Sequence, residues 1–275
     1  MRIHDGAYGT LLAAHLHGDE TVDDLCLRAP NLVVDAHRAY LDAGVGAIQT
    51  NSFLSHLRGS DRRRRELRHG ALACAREAVG AAGGDGDGDG GVPMVFVTIG
   101  PDRDDPRSFW EPIEQALEAD ARGLLCETVT DAGTARAFAA AWAEVGAGVR
   151  GVEVLLGCSV SPTRERVPDG RDASAWVVDL ASDLPDDVLL GLNCCEGPTG
   201  LRAVLEDVAE RRGSVWAMPS AGIPRMEAGV PPVWPFATAT DWAGAVLEEV
   251  HDLPVQALGG CCGTEPDFVG SLVSR

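Results

Sequence analysis

A rhythm constrains this chain more than any single motif does. Short apolar runs alternate with stretches of helical periodicity along its whole length. VPMVFVTIG (92–100), GLLCET (123–128), VEVLLGCSV (152–160), VLLGLNCC (188–195), SVWAMPS (214–220) and VQALGGCC (255–262) read as buried strands. AIQTNSF (47–53) and the short RIHDG (2–6) complete a set of eight. The segments between them are amphipathic. Leu201, Val204, Leu205 and Val208 recur at i, i+3, i+4 and i+7, and Ala243, Val246, Leu247 and Val250 repeat that spacing. Asn31 is expected to cap a helix that stops at Gly44, and Asp131 to cap AGTARAFAAAWAEV. Eight β-then-α units in 275 residues predict one α/β domain over 1–275, a single (β/α)8 TIM barrel. An open doubly wound sheet is the alternative, and only closure separates the two. In both folds the active site lies at the C-terminal strand ends. Asp5, Asn51, Glu127, Ser159, Asn193, Cys194, Ser220, Cys261 and Cys262 all fall there.

Composition removes several functions. Acidic residues number 42 against 23 basic ones, a net charge of −19, and every basic one is Arg. Without lysine there is no Schiff-base lysine and no P-loop. The acidity speaks against nucleic acid, whose phosphates require a basic surface. No apolar stretch approaches the ~20 residues that span a bilayer. MRIHDGAYGT reads as turn residues rather than a signal peptide, so a cytoplasmic protein with reduced cysteines is expected. Two segments interrupt the rhythm. GGDGDGDGGVP (83–93) is a Gly/Asp loop. Asp85, Asp87, Asp89 and Gly90 imitate the start of a calcium loop, but the twelfth position is Phe96 instead of Glu. The run Arg62–Arg65, between Asp61 and Glu66, reads as an exposed helix face.

Eight cysteines remain to be explained. Cys26, Cys74 and Cys126 sit among apolar residues and read as small core hydrophobes. Cys194 and Cys195 end the sixth strand, and Cys261 and Cys262 end the eighth, so both pairs border one mouth. Three thiolates there could bind zinc and leave a fourth position open. A redox pair and simple packing are the other readings. Neighbours on a regular strand point to opposite faces, so two adjacent thiols can share one ion only if the chain bends. Gly259, Gly260 and Gly263 permit that bend.

Several motifs then fall into one order. DGAYGT near the start, TNSF after the second strand, IGP at 99–101, ET at 127–128, GLNC at 191–194, PSAGIP at 219–224 and GGCCGT at 259–264 resemble the homocysteine S-methyltransferase family over essentially the whole chain. GGCCGT with an upstream G-x-N-C carries most of the specificity. The resemblance implies a (β/α)8 barrel with catalytic Zn2+ held by Cys194, Cys261 and Cys262, and Cys195 outside the ligand set. It implies that Asp5, Gly6 and Glu127 hold homocysteine, with Asn51 near the mouth. Carboxylates suit the substrate ammonium, and backbone N–H groups suit its carboxylate. Ser220 stands where the family usually has Asn, and is expected at the substrate. The loops at 54–60 and 161–173 are short by comparison.

The implied activity is methyl transfer to homocysteine, giving methionine. One barrel leaves no room for both methylfolate and cobalamin, which points to a self-contained donor: S-methylmethionine first, then S-adenosylmethionine, with betaine behind them. Trp234 and the acidic surface suit a sulfonium cation. A module served by a separate corrinoid protein is the rival within the same chemistry. A non-catalytic zinc-binding or redox barrel is the rival of another class. The partners expected are small molecules, with no nucleic acid and no membrane. A homo-oligomer stays open.

Overall fold

The computed structural model describes residues 1–57, 59–82, 91–102, 105–160, 175–226, 232–236 and 238–275. The Gly/Asp stretch as far as residue 90 and the whole 161–173 loop lie outside the described residues. Eight strands form one parallel sheet: β1 (Arg2–Ile3), β2 (Ala47–Gln49), β3 (Met94–Ile99), β4 (Gly123–Val129), β5 (Glu153–Cys158), β6 (Val188–Cys194), β7 (Val215–Pro219) and β8 (Val255–Leu258). Their order is β1-β8-β7-β6-β5-β4-β3-β2. The seam between β1 and β2 is closed as well. His4 bridges Ala47, the Asp5 amide donates to Ala47 O at 3.2 Å, and the Gly46 amide donates to Ile3 O at 2.8 Å. This closure decides for a single (β/α)8 barrel over the open sheet.

A large aromatic on one strand fills the barrel where a neighbouring strand has glycine. Phe96 and Trp216 are fully buried beside Ala47, Leu125, Leu155, Met218 and Ala257. A Cβ on Gly123 would lie 2.6 Å from the Phe96 ring, and one on Gly191 would lie 2.2 Å from Trp216 O. Layering of unequal side chains is how such a barrel becomes a packed core rather than a pore. The outer shell buries the predicted helical faces. Leu201, Val204, Leu205 and Val208 are all buried in the helix Leu201–Arg212. Among the described residues no helix is long and apolar enough to cross a membrane.

The Asp131 cap forms as expected, its carboxylate accepting from the Thr134 amide at 2.8 Å. The Asn31 cap does not form. That helix runs Pro30–Asp42, with Ala29 at the cap and Pro30 in its first turn. Proline's fixed φ and missing N–H suit the first helical position, so the helix starts two residues earlier than an Asn31 cap would place it. Gly44, with φ 89°, ends it as expected. The arginine run lies on the helix Asp61–Ala82 and is absorbed in ion pairs. Arg63 meets Asp24 at 2.8 Å, Arg65 meets Glu111 at 3.5 Å, Arg62 meets Glu66 at 3.6 Å, and Arg64 contacts Asp61. Most strands stop earlier than their apolar runs do. Residues 50–53, Cys195, Ser220 and 259–262 leave the ladder and build the loops of the mouth.

Candidate metal centre and active site

β6 ends in a backbone turn that side chains resist. Cys194 has φ 61° and Cys195 has φ 53°. Left-handed residues with a Cβ cost on the order of 1 kcal/mol each. The turn separates the two thiols. Cys195 Sγ turns back toward Asn193 O at 3.4 Å, among packed side chains. Cys194 Sγ turns toward the loop after β8 and lies 3.9 Å from Cys262 Sγ.

That loop is pinned from both sides. Gly260 donates to Asp5 O at 2.9 Å, Cys261 donates to Pro219 O at 3.0 Å, and Cys262 O accepts from Ala221 at 2.8 Å. The glycines work differently from the sequence expectation. Only Gly263 is left-handed, with φ 79°. Gly260 is required by close approach, since a Cβ there would sit 2.1 Å from Thr264 Oγ1. The outcome is that Sγ of Cys194, Cys261 and Cys262 lie within 4.8 Å of one another and could hold a metal ion. Without a cation the three thiols do not ionise together. Hydrogen bonds from Cys194 and Cys261 hold Cys262 well below the ordinary thiol range. Cys261 is pushed up by its contacts with Cys194 and Cys262 and by burial.

Two carboxylates stand near the thiols. Asp5 is fully buried, and one oxygen accepts from the Gln49 amide at 2.7 Å and from the Tyr8 hydroxyl. Its other oxygen has no partner among the described residues. Burial pushes its carboxyl up to about 7, against the opposing pull of those hydrogen bonds. Glu127 is pushed up to about 8, first by burial and then by the charge of Cys262. Its Oε2 accepts from Asn193 Nδ2 at 2.9 Å. Gly6 has its own necessity, since a Cβ there would lie 2.3 Å from Thr264 O.

A cavity of about 480 Å³ opens between the β1, β2, β4, β6, β7 and β8 loops. Gly6, Asn51, Glu127, Cys194, Cys261 and Cys262 line it, so six of the eight predicted site residues meet there. Asp5 lies behind the wall, holding the lining residues Tyr8 and Gln49. Ser220 is buried away from the cavity, its hydroxyl bonded to Cys195 O at 3.1 Å and to the Gly222 amide at 3.2 Å. Asn51 donates to Val22 O at 2.7 Å, which fastens another part of the wall. Sequence reasoning passed over Tyr8, Gln49 and Thr128 as lining residues. Tyr8 lay inside the quoted DGAYGT motif, and that was its only signal. The Trp234 ring lies over Gly263, where a Cβ would meet it at 2.3 Å, and Trp234 also lines the cavity.

Known proteins resemble this arrangement at several levels. A family model described as homocysteine S-methyltransferase matches residues 2–275. The methionine synthase of Mycobacterium tuberculosis (strain ATCC 25618 / H37Rv) is 29% identical over 313 aligned positions. The alignment takes in 100% of this chain and 24% of that protein, so the chain spans about a quarter of the relative's length. The apo structure of the homocysteine methyltransferase MmuM from Escherichia coli superposes with a TM-score of 0.73 at 22% identity, covering 100% of this chain and 95% of that one. Its metallated form gives 0.74 at 19% identity, covering 100% and 96%. At these identities the likeness is one of fold.

Proposed function

Because the chain belongs to the homocysteine S-methyltransferase family, we propose that it converts homocysteine to methionine with a sulfonium methyl donor, at a zinc ion held by Cys194, Cys261 and Cys262. Family membership sets aside the non-catalytic zinc-binding or redox barrel. One observation carries the proposal: three thiols converge on the wall of a cavity whose described lining includes Glu127 and no basic side chain.

The sulfur spacing supports a metal site. Tetrahedral bonds of about 2.3 Å put ligand sulfurs about 3.8 Å apart. The 3.9 Å between Cys194 and Cys262 agrees, and a thiolate donor set suits zinc. When bound, zinc supplies the positive charge that keeps a coordinating thiol deprotonated at neutral pH.

The chain's own residues do the rest. Glu127 receives the homocysteine ammonium, which favours the ionised form of a carboxylate that burial otherwise holds protonated. The backbone at Gly6 receives the substrate carboxylate. Asp5 acts from behind, holding Tyr8 and Gln49 in the wall. Asn51 and Ser220 serve as fasteners, Asn51 for the wall segment at Val22 and Ser220 for the turn that carries Cys194. The homocysteine sulfur attacks the donor's methyl carbon, and the carbon–sulfur bond to the donor breaks. Donor and acceptor must be held in line, and such positioning is worth ~7–11 kcal/mol of the barrier.

The donor preference rests on charge. Tyr8, Phe53 and Trp234 supply aromatic faces, and no described lining residue carries a basic side chain. That lining attracts a cation, so S-methylmethionine comes first and S-adenosylmethionine second. A second reading has its own observation. The chain aligns with one stretch of a methionine synthase, which fits a methyltransferase module served by a separate corrinoid protein. Zinc-loaded protein supplied with homocysteine and a donor panel decides between them. Methionine from S-methylmethionine alone supports the first reading. Turnover only after a methylated corrinoid protein is added overturns it.

A further inference from the structure

Asn193 is 1% exposed and sits next to the last residue of β6. Its side chain does not stop at the adjacent strand. It crosses above β5 to reach β4, where three hydrogen bonds receive it. Oδ1 accepts from the Thr128 amide at 2.8 Å. Nδ2 donates to Glu127 Oε2 at 2.9 Å and to Thr128 Oγ1 at 3.1 Å. The Thr128 N–H can only donate, so it fixes which end of the amide carries oxygen. Both Nδ2 hydrogens must then face acceptors.

Two further features accommodate this span. On β5, which lies between, position 157 is glycine, and a Cβ there would lie 2.5 Å from Asn193 Oδ1. On β4, Thr128 has φ 59°, a left-handed conformation that a β-branched residue rarely adopts. The residue after Asn193 is Cys194, itself left-handed at φ 61°. One amide therefore links the carboxylate on β4 to the strand end that carries a thiol of the cluster.

We propose that Asn193 is a positioning residue for the acceptor amino acid: by tying Glu127 and Thr128 to the Cys194 strand end, it holds the substrate's ammonium and its sulfur in one rigid frame. The inference rests on the proposed contact between Glu127 and the ammonium. It assigns to Asn193 the recognition of α-amino thiols over thiols that lack the amine.

The test is a pair of dissociation constants on zinc-loaded protein, measured by calorimetry without any donor. One ligand is homocysteine, and the other is 4-mercaptobutanoate, which has the same chain and carboxylate but no ammonium. Asn193→Ser is too short to reach Glu127 and adds no charge. It is expected to lower the wild-type preference for homocysteine about tenfold, the size of one lost hydrogen bond to a charged group. Bound zinc should stay unchanged. A purely structural role would weaken both ligands alike, so an unchanged ratio overturns the proposal. Loss of zinc also overturns it, because Asn193 would then serve the thiol loop. If the serine variant loses its cooperative melting transition, Thr128→Ala takes its place. That change removes one acceptor of the clamp and must lower the ratio about threefold; no change overturns the proposal. Glu127→Gln run in parallel separates the two levels. If it leaves the ratio intact, the Glu127 contact fails and Asn193 fails with it. If it collapses the ratio while the Asn193 and Thr128 variants do not, only the Asn193 role fails.

Discussion

The two ends of the barrel each carry a cavity, and the larger one is at the wrong end for chemistry. At the N-terminal strand ends about 820 Å³ opens among Arg2, Arg76, Asp120, Arg122, Val92 and Met94. At the C-terminal ends the thiol-lined cavity holds about 480 Å³. The difference lies in what the backbone tolerates. Among the described non-glycine residues, those left-handed at the base are Asp120 and Asp252, in the turns entering β4 and β8. Aspartate visits that region at little cost. At the mouth they are Thr128, Cys194 and Cys195, which do not. At the base Arg2 pairs with Glu153, and Arg76 donates to the Ala119 carbonyl. The mouth leaves a buried oxygen of Asp5 without a partner. Backbone strain and a buried carboxylate oxygen without a partner, rather than volume, distinguish the mouth.

This contrast predicts a graded series. Cys261→Ser should have the largest effect, with bound zinc falling from about one per chain toward none and methyl transfer falling more than about 100-fold. Cys195→Ser should keep the zinc, because that thiol faces Asn193 O and the packed interior. Metal analysis after gel filtration reads both variants, and zinc loss in Cys195→Ser would break the division of labour between the two neighbours.

Glycine replacement at the two ends should differ next. In Gly6→Ala the new methyl meets Thr264 O at 2.3 Å, a backbone atom that cannot step aside. About 2–3 kcal/mol of stability should be lost. In Gly46→Ala at the base it meets the flexible Arg2 side chain at 3.3 Å, and less than about 0.5 kcal/mol should be lost. Urea unfolding of the two variants compares them directly.

Asp5 adds a pH signature. Its carboxyl stays protonated in the fold up to about 7, whereas the unfolded chain ionises near 3.8. Between those values unfolding releases a proton, so this group's contribution is present below pH 4 and is lost as pH rises toward 7. Melting curves of metal-free protein should show wild type losing ground to Asp5→Asn across that window. A difference independent of pH would remove Asp5 from the account. The smallest effect belongs to the base. Arg2→Ala breaks a partly exposed pair with Glu153 at 2.6 Å. It should cost at most about 1 kcal/mol and leave the homocysteine KM alone.

Much of this fold was legible because burial writes short-range patterns. Alternating apolar runs and helical periods announced eight units, and the helix Leu201–Arg212 buries the four residues its spacing named. Asp131 capped its helix because capping is a contact over three residues. The Asn31 expectation erred by two residues, because Pro30 takes the first helical position and Ala29 the cap. The site was legible unevenly. Motif resemblance gathered six of the eight residues around one cavity, but it could not tell lining from support. Asp5 and Ser220 stand behind the wall, and the glycines of GGCCGT serve mainly close packing.

By itself, the sequence determined the number and order of the strand–helix units, the end of the sheet where the polar and thiol-bearing residues collect, and the candidates for the thiol cluster. Each follows from local periodicity or from a motif carried intact. Tertiary structure alone decided that the sheet closes at His4 and Ala47. It alone decided that Cys195 turns away while Cys194 turns in, and that Asn193 reaches across β5 to Glu127. Those outcomes join residues 43, 68 and 66 positions apart. Their physical basis is the space left by Gly157 and the twist that carries one strand end round to another, and no local pattern records either.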